Sequence, residues 1–197
     1  MTRRNGPTPK ILPRSFYLRP PEVVARALLG KLITHRLNGE RLTGRIVEIE
    51  AYLGLADPAS HAFAGKTPRN AVLFGPPGFA YVYFIYGMYY CLNFSCQRDG
   101  QPDGVLVRAL QPIEGLDTMA RLRGLSVAAK PKLLTSGPGR LCQALGITRA
   151  NANGLDITQP GSPLRVSDDG FRPASIATTP RIGISKATDM PLRFVSG

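Results

Sequence analysis

The chain has 197 residues, 43% of them hydrophobic, and carries 25 Lys+Arg against 13 Asp+Glu, a formal net charge of +12. That length fits one domain with a real core and is short for two; no apolar run reaches transmembrane length, which excludes a membrane-spanning helix. Two histidines (His35, His61) and three cysteines (Cys91, Cys96, Cys142) without a CxxC pair argue against a zinc site and for reduced thiols in a cytosolic protein.

The N-terminal "MTRRNGPTPKILPR" is basic with no apolar stretch behind it, so residues 1–14 are expected to form a flexible basic arm rather than a secretory signal. Residues 15–197 then make a single domain. "PPEVVARALLG" opens on prolines, spaces its apolar residues at helical intervals and stops at Gly30, which predicts a helix. "KLITHRLNGERLTGRIVEIEAY" predicts two strands around the Asn38-Gly39 turn. A loop follows over 53–69. Phe79–Tyr86 and Met88–Cys96 read as two strands around Gly87, "RDGQPDG" as a turn and "VLVRALQP" as a further strand. "IEGLDTMARLRG" predicts a short helix ending at Gly124, and "SGPGRLCQALGI" a loop feeding another helix. After Asn151 the pattern is weak until "RIGIS" and "LRFV", two expected short strands. The element order predicts a mixed α/β fold with an antiparallel sheet at its centre.

Charge is distributed unevenly. No acid lies between Asp57 and Asp99, where Lys66, Arg69 and Arg98 occur, nor between Asp117 and Asp156, where Arg121, Arg123, Lys130, Lys132, Arg140 and Arg149 occur. Such stretches make a one-sided positive field that suits a polyanion. In "RIVEIEAY" strand alternation sends Val47, Ile49 and Ala51 to a core and Glu48, Glu50 and Tyr52 to the opposite face. Arg108 stands among apolar neighbours, where a buried arginine needs a partner; Glu50 or Glu48 on a neighbouring strand would serve.

"YVYFIYGMYYCLN" gathers five of the seven tyrosines around Gly87. Tyr81 and Tyr83 point one way, Phe84 and Tyr86 the other. A hairpin tip at Gly87 would leave Tyr86 as a projecting ring able to enter a base stack, with other rings free to sandwich an expelled base; packing within a half-buried sheet explains the same rings equally well. In "SGPGRLCQAL", Ser136, Gly137 and Gly139 precede a helix whose free N–H groups could face a phosphate, and Arg140 adds charge. The GxxxxGK[ST] pattern of a P-loop is absent.

Taken in order, "RIVEIEAYLG", "DPASHAFAGKTPRN", "YVYFIYGMYYCLN", "VLVRALQPIEGLDTM", "SGPGRLCQALGI" and "PLRF" resemble the alkyladenine (3-methyladenine, or methylpurine) DNA glycosylases, from about Arg14 to Phe194. The resemblance implies a single mixed α/β domain with a curved antiparallel sheet, flanking helices and a protruding β-hairpin. It implies a monomeric, cofactor-free and metal-free enzyme of the cytoplasm (or of the nucleus, in a eukaryote) that acts on double-stranded DNA containing damaged purines. The enzyme flips out an alkylated or deaminated purine, hydrolyses the N-glycosidic bond and leaves an abasic site.

Roles follow residue by residue. Glu50 matches the general base that activates water, and Arg108 the arginine that holds water and carboxylate. Tyr52, His61 and Tyr83 match the walls of the base pocket, and Asn93 the asparagine that crowds a guanine 2-amino group. Ile182 matches a residue whose carbonyl touches the water. Tyr86 matches the ring that fills the gap in the duplex, with Met88 beside it, and Thr67 and Arg69 join the phosphate contacts. The chemistry is consistent: a cationic alkylpurine leaves without a strong acid, so one carboxylate can serve both water and the developing oxocarbenium ion. No lysine falls in the matched catalytic motifs, which argues against Schiff-base chemistry. A non-catalytic binder of single strands stays open as the alternative, distinguished by the lack of a carboxylate–arginine pair at the end of its aromatic groove.

Overall fold

The computed structural model describes residues 8–85 and 87–197. In chain order its elements are β1 (Lys10–Ile11), α1 (Arg14–Tyr17), α2 (Pro21–Leu28), β2 (Leu32–Leu37), β3 (Glu40–Tyr52), β4 (Ala80–Ile85), β5 (Tyr89–Cys96), β6 (Asp103–Glu114), α3 (Leu116–Leu122), α4 (Pro131–Thr135), α5 (Pro138–Ala144), α6 (Arg149–Ala152), β7 (Leu164–Asp168), β8 (Ile176–Thr179) and β9 (Arg193–Ser196). Every strand pair is antiparallel, in the order β1-β7-β2-β3-β6-β5-β4, with β9 also on β3 and β8 on β9. The result is one mixed α/β domain built on a curled antiparallel sheet. Among the described residues no helix is long and apolar enough to cross a membrane.

Turn chemistry sets the central hairpin. Asn38 and Gly39 both adopt positive φ (50° and 82°), the mirror-image turn that matches strand twist. It delivers β3, a 13-residue strand that is the spine of the molecule. β6 runs along one edge of it; β2 covers the first part of the other edge and β9 the later part. Of its polar residues Thr43 and Glu50 are buried, Arg45, Glu48 and Tyr52 half-buried, and Glu40 and Arg41 exposed near the turn. Apolar side chains from the sheet (Ile33, Leu42, Ile46, Ile49, Phe94, Val107) and from α2 and α5 (Val24, Leu28, Leu141) are essentially fully buried in one core.

A double irregularity breaks β3 and β6 at the same level. Ile46 pairs with Leu110, Glu48 with Ala109 and Ile49 with Val107, so Val47 is extra on β3 and Arg108 is extra on β6. This corrects the simple alternation. Ile46 and Ile49 both enter the core, whereas Val47, expected inside, is only half-buried. Bulges re-aim side chains, and here one of them carries Arg108.

Three further expectations change. The arm expected over 1–14 is shorter, because Lys10 and Ile11 pair with Asp168 and Ser167, Leu12 is buried and α1 begins at Arg14; residues 1–7 lie outside the described residues. "RIGIS" is not a strand: Gly183 has φ 76°, and the backbone of Ile182 bonds side chains instead of a neighbouring strand. The stretch after Asn151 contains β7 and β8, of which β7 could have been read from Leu164 and Val166 alternating with Arg165 and Ser167.

Candidate active site

Glu50 is completely buried, yet its carboxylate is surrounded by donors. Tyr52 donates its hydroxyl to Oε2 at 3.0 Å and Arg108 Nη1 donates to the same oxygen at 3.2 Å. The backbone N–H of Ile182 donates to Oε1 at 2.9 Å. The same Arg108 nitrogen reaches the Ile182 carbonyl at 3.3 Å, so carboxylate, guanidinium and carbonyl form one triangle. Arg108 is steadied at its other side, where Nε donates to Glu48 at 2.9 Å; Arg193 Nε donates to the same Glu48 oxygen at 2.7 Å. Both partners foreseen for Arg108 are therefore used. Burial works to lower the Arg108 pKa, and the two carboxylates outweigh it, so the net shift is upward and the cation persists. Burial, reinforced by the Glu50 charge, raises the Tyr52 phenol far above its ordinary value and keeps it a donor.

Above this floor opens a cleft of about 830 Å³, within the range of small-molecule sites. The β4–β5 hairpin builds much of it by strand alternation. Tyr81, Tyr83 and Ile85 pair with Asn93, Cys91 and Tyr89, and all six line the cleft. Val82 and Leu92 between them, with Ala80 and Phe94 one step beyond, go to the core, whereas Phe84 nearer the turn is 46% exposed. His61 completes the aromatic wall: its ring meets Tyr83 edge-on at 4.3 Å, and its Nδ1 shares a 3.0 Å hydrogen bond with the Tyr81 hydroxyl. Burial and then the nearby Arg69 charge lower the His61 pKa, which favours the neutral ring near pH 7. Burial and then Cys91 push the Tyr83 phenol well up, so it too remains a neutral polar tip. Asn93 is buried and donates to the Tyr81 carbonyl at 3.3 Å.

A family model described as methylpurine-DNA glycosylase matches residues 15–197. The chain belongs to the methylpurine-DNA glycosylase family. Proteins named "Putative 3-methyladenine DNA glycosylase" accompany it. The one from Koribacter versatilis is 55% identical over 93% of this chain and 88% of its own, and the one from Methanocella arvoryzae 50% identical over 93% and 89%. The one from Alkaliphilus oremlandii is 45% identical over 93% and 94%. Membership places the chain among the DNA glycosylases of base-excision repair.

Not every residue singled out in this glycosylase converges on the cleft. Arg108, Tyr52 and Ile182 line its floor, Glu50 lies directly behind them, bonded to all three but outside the lining itself, and Tyr83, His61 and Asn93 form walls. Ser136, Gly137, Gly139 and Arg140 also line it, but their geometry differs from an open phosphate cradle. The Gly137 N–H is taken by the Arg108 carbonyl at 3.0 Å, and Ser136 donates its hydroxyl to the Lys132 carbonyl at 2.6 Å. Gly139 is there for closeness: a Cβ on it would lie 2.9 Å from the Tyr89 ring. Thr67, Arg69 and Met88 lie outside the lining. Thr67 accepts from the Asn70 N–H, Arg69 rides 5.7 Å over the Tyr83 ring, and Met88 is 65% exposed at the hairpin tip. Tyr86 lies outside the described residues.

Sequence reasoning missed six contributors. Asn70 clasps its loop by donating to the carbonyls of His61 and Gly65. Tyr89 and Cys91 could have been found by carrying the Tyr81–Tyr83 alternation through the turn. Lys186 reaches the cleft from a segment that matched no catalytic motif. Asp57 and Arg181 form a buried ion pair beneath Tyr52, and no short motif announces it.

Proposed function

We propose that this glycosylase releases an alkylated or deaminated purine that has been flipped out of duplex DNA, using Glu50 as general base. The observation that carries the reading is the buried Glu50 carboxylate with its donors at the foot of an aromatic cleft. A water at the Glu50–Arg108–Ile182 triangle would donate one proton toward the carboxylate and a second hydrogen bond to the Ile182 carbonyl, leaving a lone pair for the sugar carbon. The new C1′–O bond forms as the C1′–N bond breaks. The bonding pair leaves with the purine, which for a 3- or 7-alkylated base neutralises its own positive charge, and the water proton passes to Glu50. The same carboxylate faces the developing oxocarbenium charge in a dry site, where such an interaction is strongest. Glu48 makes no second working acid, since Arg108 and Arg193 occupy it. The aromatic walls suit a cationic purine, at about 0.5–2 kcal/mol per favourable contact.

The proposed product is an abasic site with the strand intact. Incubation with duplexes carrying single defined purine lesions, followed by detection of free base, tests this directly. Free base should appear, and strand breaks only after alkali. No release from any alkylated or deaminated purine would overturn the reading. A borohydride-trapped protein–DNA adduct, lost on Lys186→Ala, would overturn its hydrolytic, lyase-free part.

A further inference from the structure

Beneath the floor lies a charge pair with no place in the proposed chemistry. The side chains of Arg181 and Asp57 are both fully buried, and their heads meet in a two-pronged contact, with Nη2 donating to Oδ1 at 2.9 Å. Removing two charges from water is costly, and apolar residues of similar volume often stabilise a fold as well or better. What the pair supplies is therefore sought in geometry. Arg181 Nη1 also donates to the Ala51 carbonyl at 3.1 Å, between Glu50 and Tyr52 on β3. Its guanidinium lies 4.6 Å from the centre of the Tyr52 ring, whose hydroxyl donates to Glu50. Its own backbone continues directly into Ile182, whose N–H donates to the other Glu50 oxygen. Asp57 in turn accepts from the N–H groups of Leu53 and Ala59, anchoring the loop that leads to His61.

We infer that Asp57 and Arg181 are positioning residues that fix the Glu50 carboxylate from two sides, through the Tyr52 ring and through the Ile182 backbone. The inference rests on Glu50 acting as the base. A planar guanidinium is needed because it must bridge a carboxylate, bond a carbonyl and stack on a ring together, which an ammonium cannot do. A misplacement of about 1 Å at a reacting group can cost about 100-fold in rate.

The test is single-turnover release of methylpurines from methylated duplex DNA, with enzyme in excess, for Arg181→Lys, Asp57→Asn and Glu50→Gln. For the two pair variants the rate constant should fall about 100-fold while the half-saturating enzyme concentration stays within threefold. A purely structural role would lower the reaction amplitude, through a smaller folded fraction, and leave the rate constant of the remainder unchanged. Arg181→Lys retains a cation for Asp57 and gives the answer even where Asp57→Asn does not fold. A double-mutant cycle of Arg181→Lys with Tyr52→Phe should be clearly non-additive. Rate constants within threefold of the parent, beside an inactive Glu50→Gln, would overturn the positioning role alone. Parental release by Glu50→Gln would overturn the general-base reading and this inference with it.

Discussion

The end of β3 and the tip of the β4–β5 hairpin are built in opposite ways. Glu50 on β3 is completely buried and its carboxylate takes donors from three different residues. At the tip, Met88 is 65% exposed, its backbone N–H closes a turn onto the Ile85 carbonyl, and Phe84 is 46% exposed beside Tyr90. Position at the floor is over-determined by contacts, so a change there propagates through the network. At the tip a side chain answers mainly to whatever it meets outside the protein.

Substitution can break this contrast or sharpen it. The largest effect belongs to Glu50→Gln, which should lower the single-turnover excision rate by about 10³–10⁴-fold with lesion-duplex affinity within a few-fold, because the amide cannot take the water's proton. Next is Arg108→Met, which leaves two carboxylates without their shared cation; urea denaturation should show about 3–5 kcal/mol of lost stability. Tyr83→Ala removes a wall of the cleft, and affinity for a lesion duplex should weaken by about 1–3 kcal/mol, the usual worth of a base–aromatic stack. Met88→Ala should leave stability within about 0.5 kcal/mol of the parent, with any effect confined to DNA affinity. A large loss of stability at Met88, or a negligible one at Arg108, would erase the contrast between floor and tip.

The smallest expected effect is a pH dependence at the cleft wall. The folded-state pKa of His61 is lowered below the usual 6.5, first by burial and then by Arg69. A depressed value means that the unfolded chain binds the proton first. The contribution to stability is complete above about pH 6.5 and is lost as pH falls through the lower folded-state value. His61→Gln should flatten the stability–pH curve in that window and leave its slope unchanged above pH 7.

Whatever depended on neighbours in the chain could be read from the sequence. Asn38-Gly39 specified its turn, period-two alternation placed Glu48, Glu50 and Tyr52 on one side, and Tyr81 with Tyr83 on another. The long motifs pointed to the family before any fold was known. These features are local: turn conformations and strand faces are set by backbone sterics over a few residues. Tertiary structure decided the rest. Paired bulges, which exist only because β3 and β6 lie side by side, sent Val47 out of the core and gave Arg108 its aim. The Gly137 amide, free in a sequence reading, is taken by the Arg108 carbonyl of another strand. Arg181 meets Asp57 across 124 residues, and "RIGIS" gives up strand pairing so that Ile182 can bond Glu50. A buried charge is tolerated only where partners converge on it, and convergence of distant segments is a property of the folded chain.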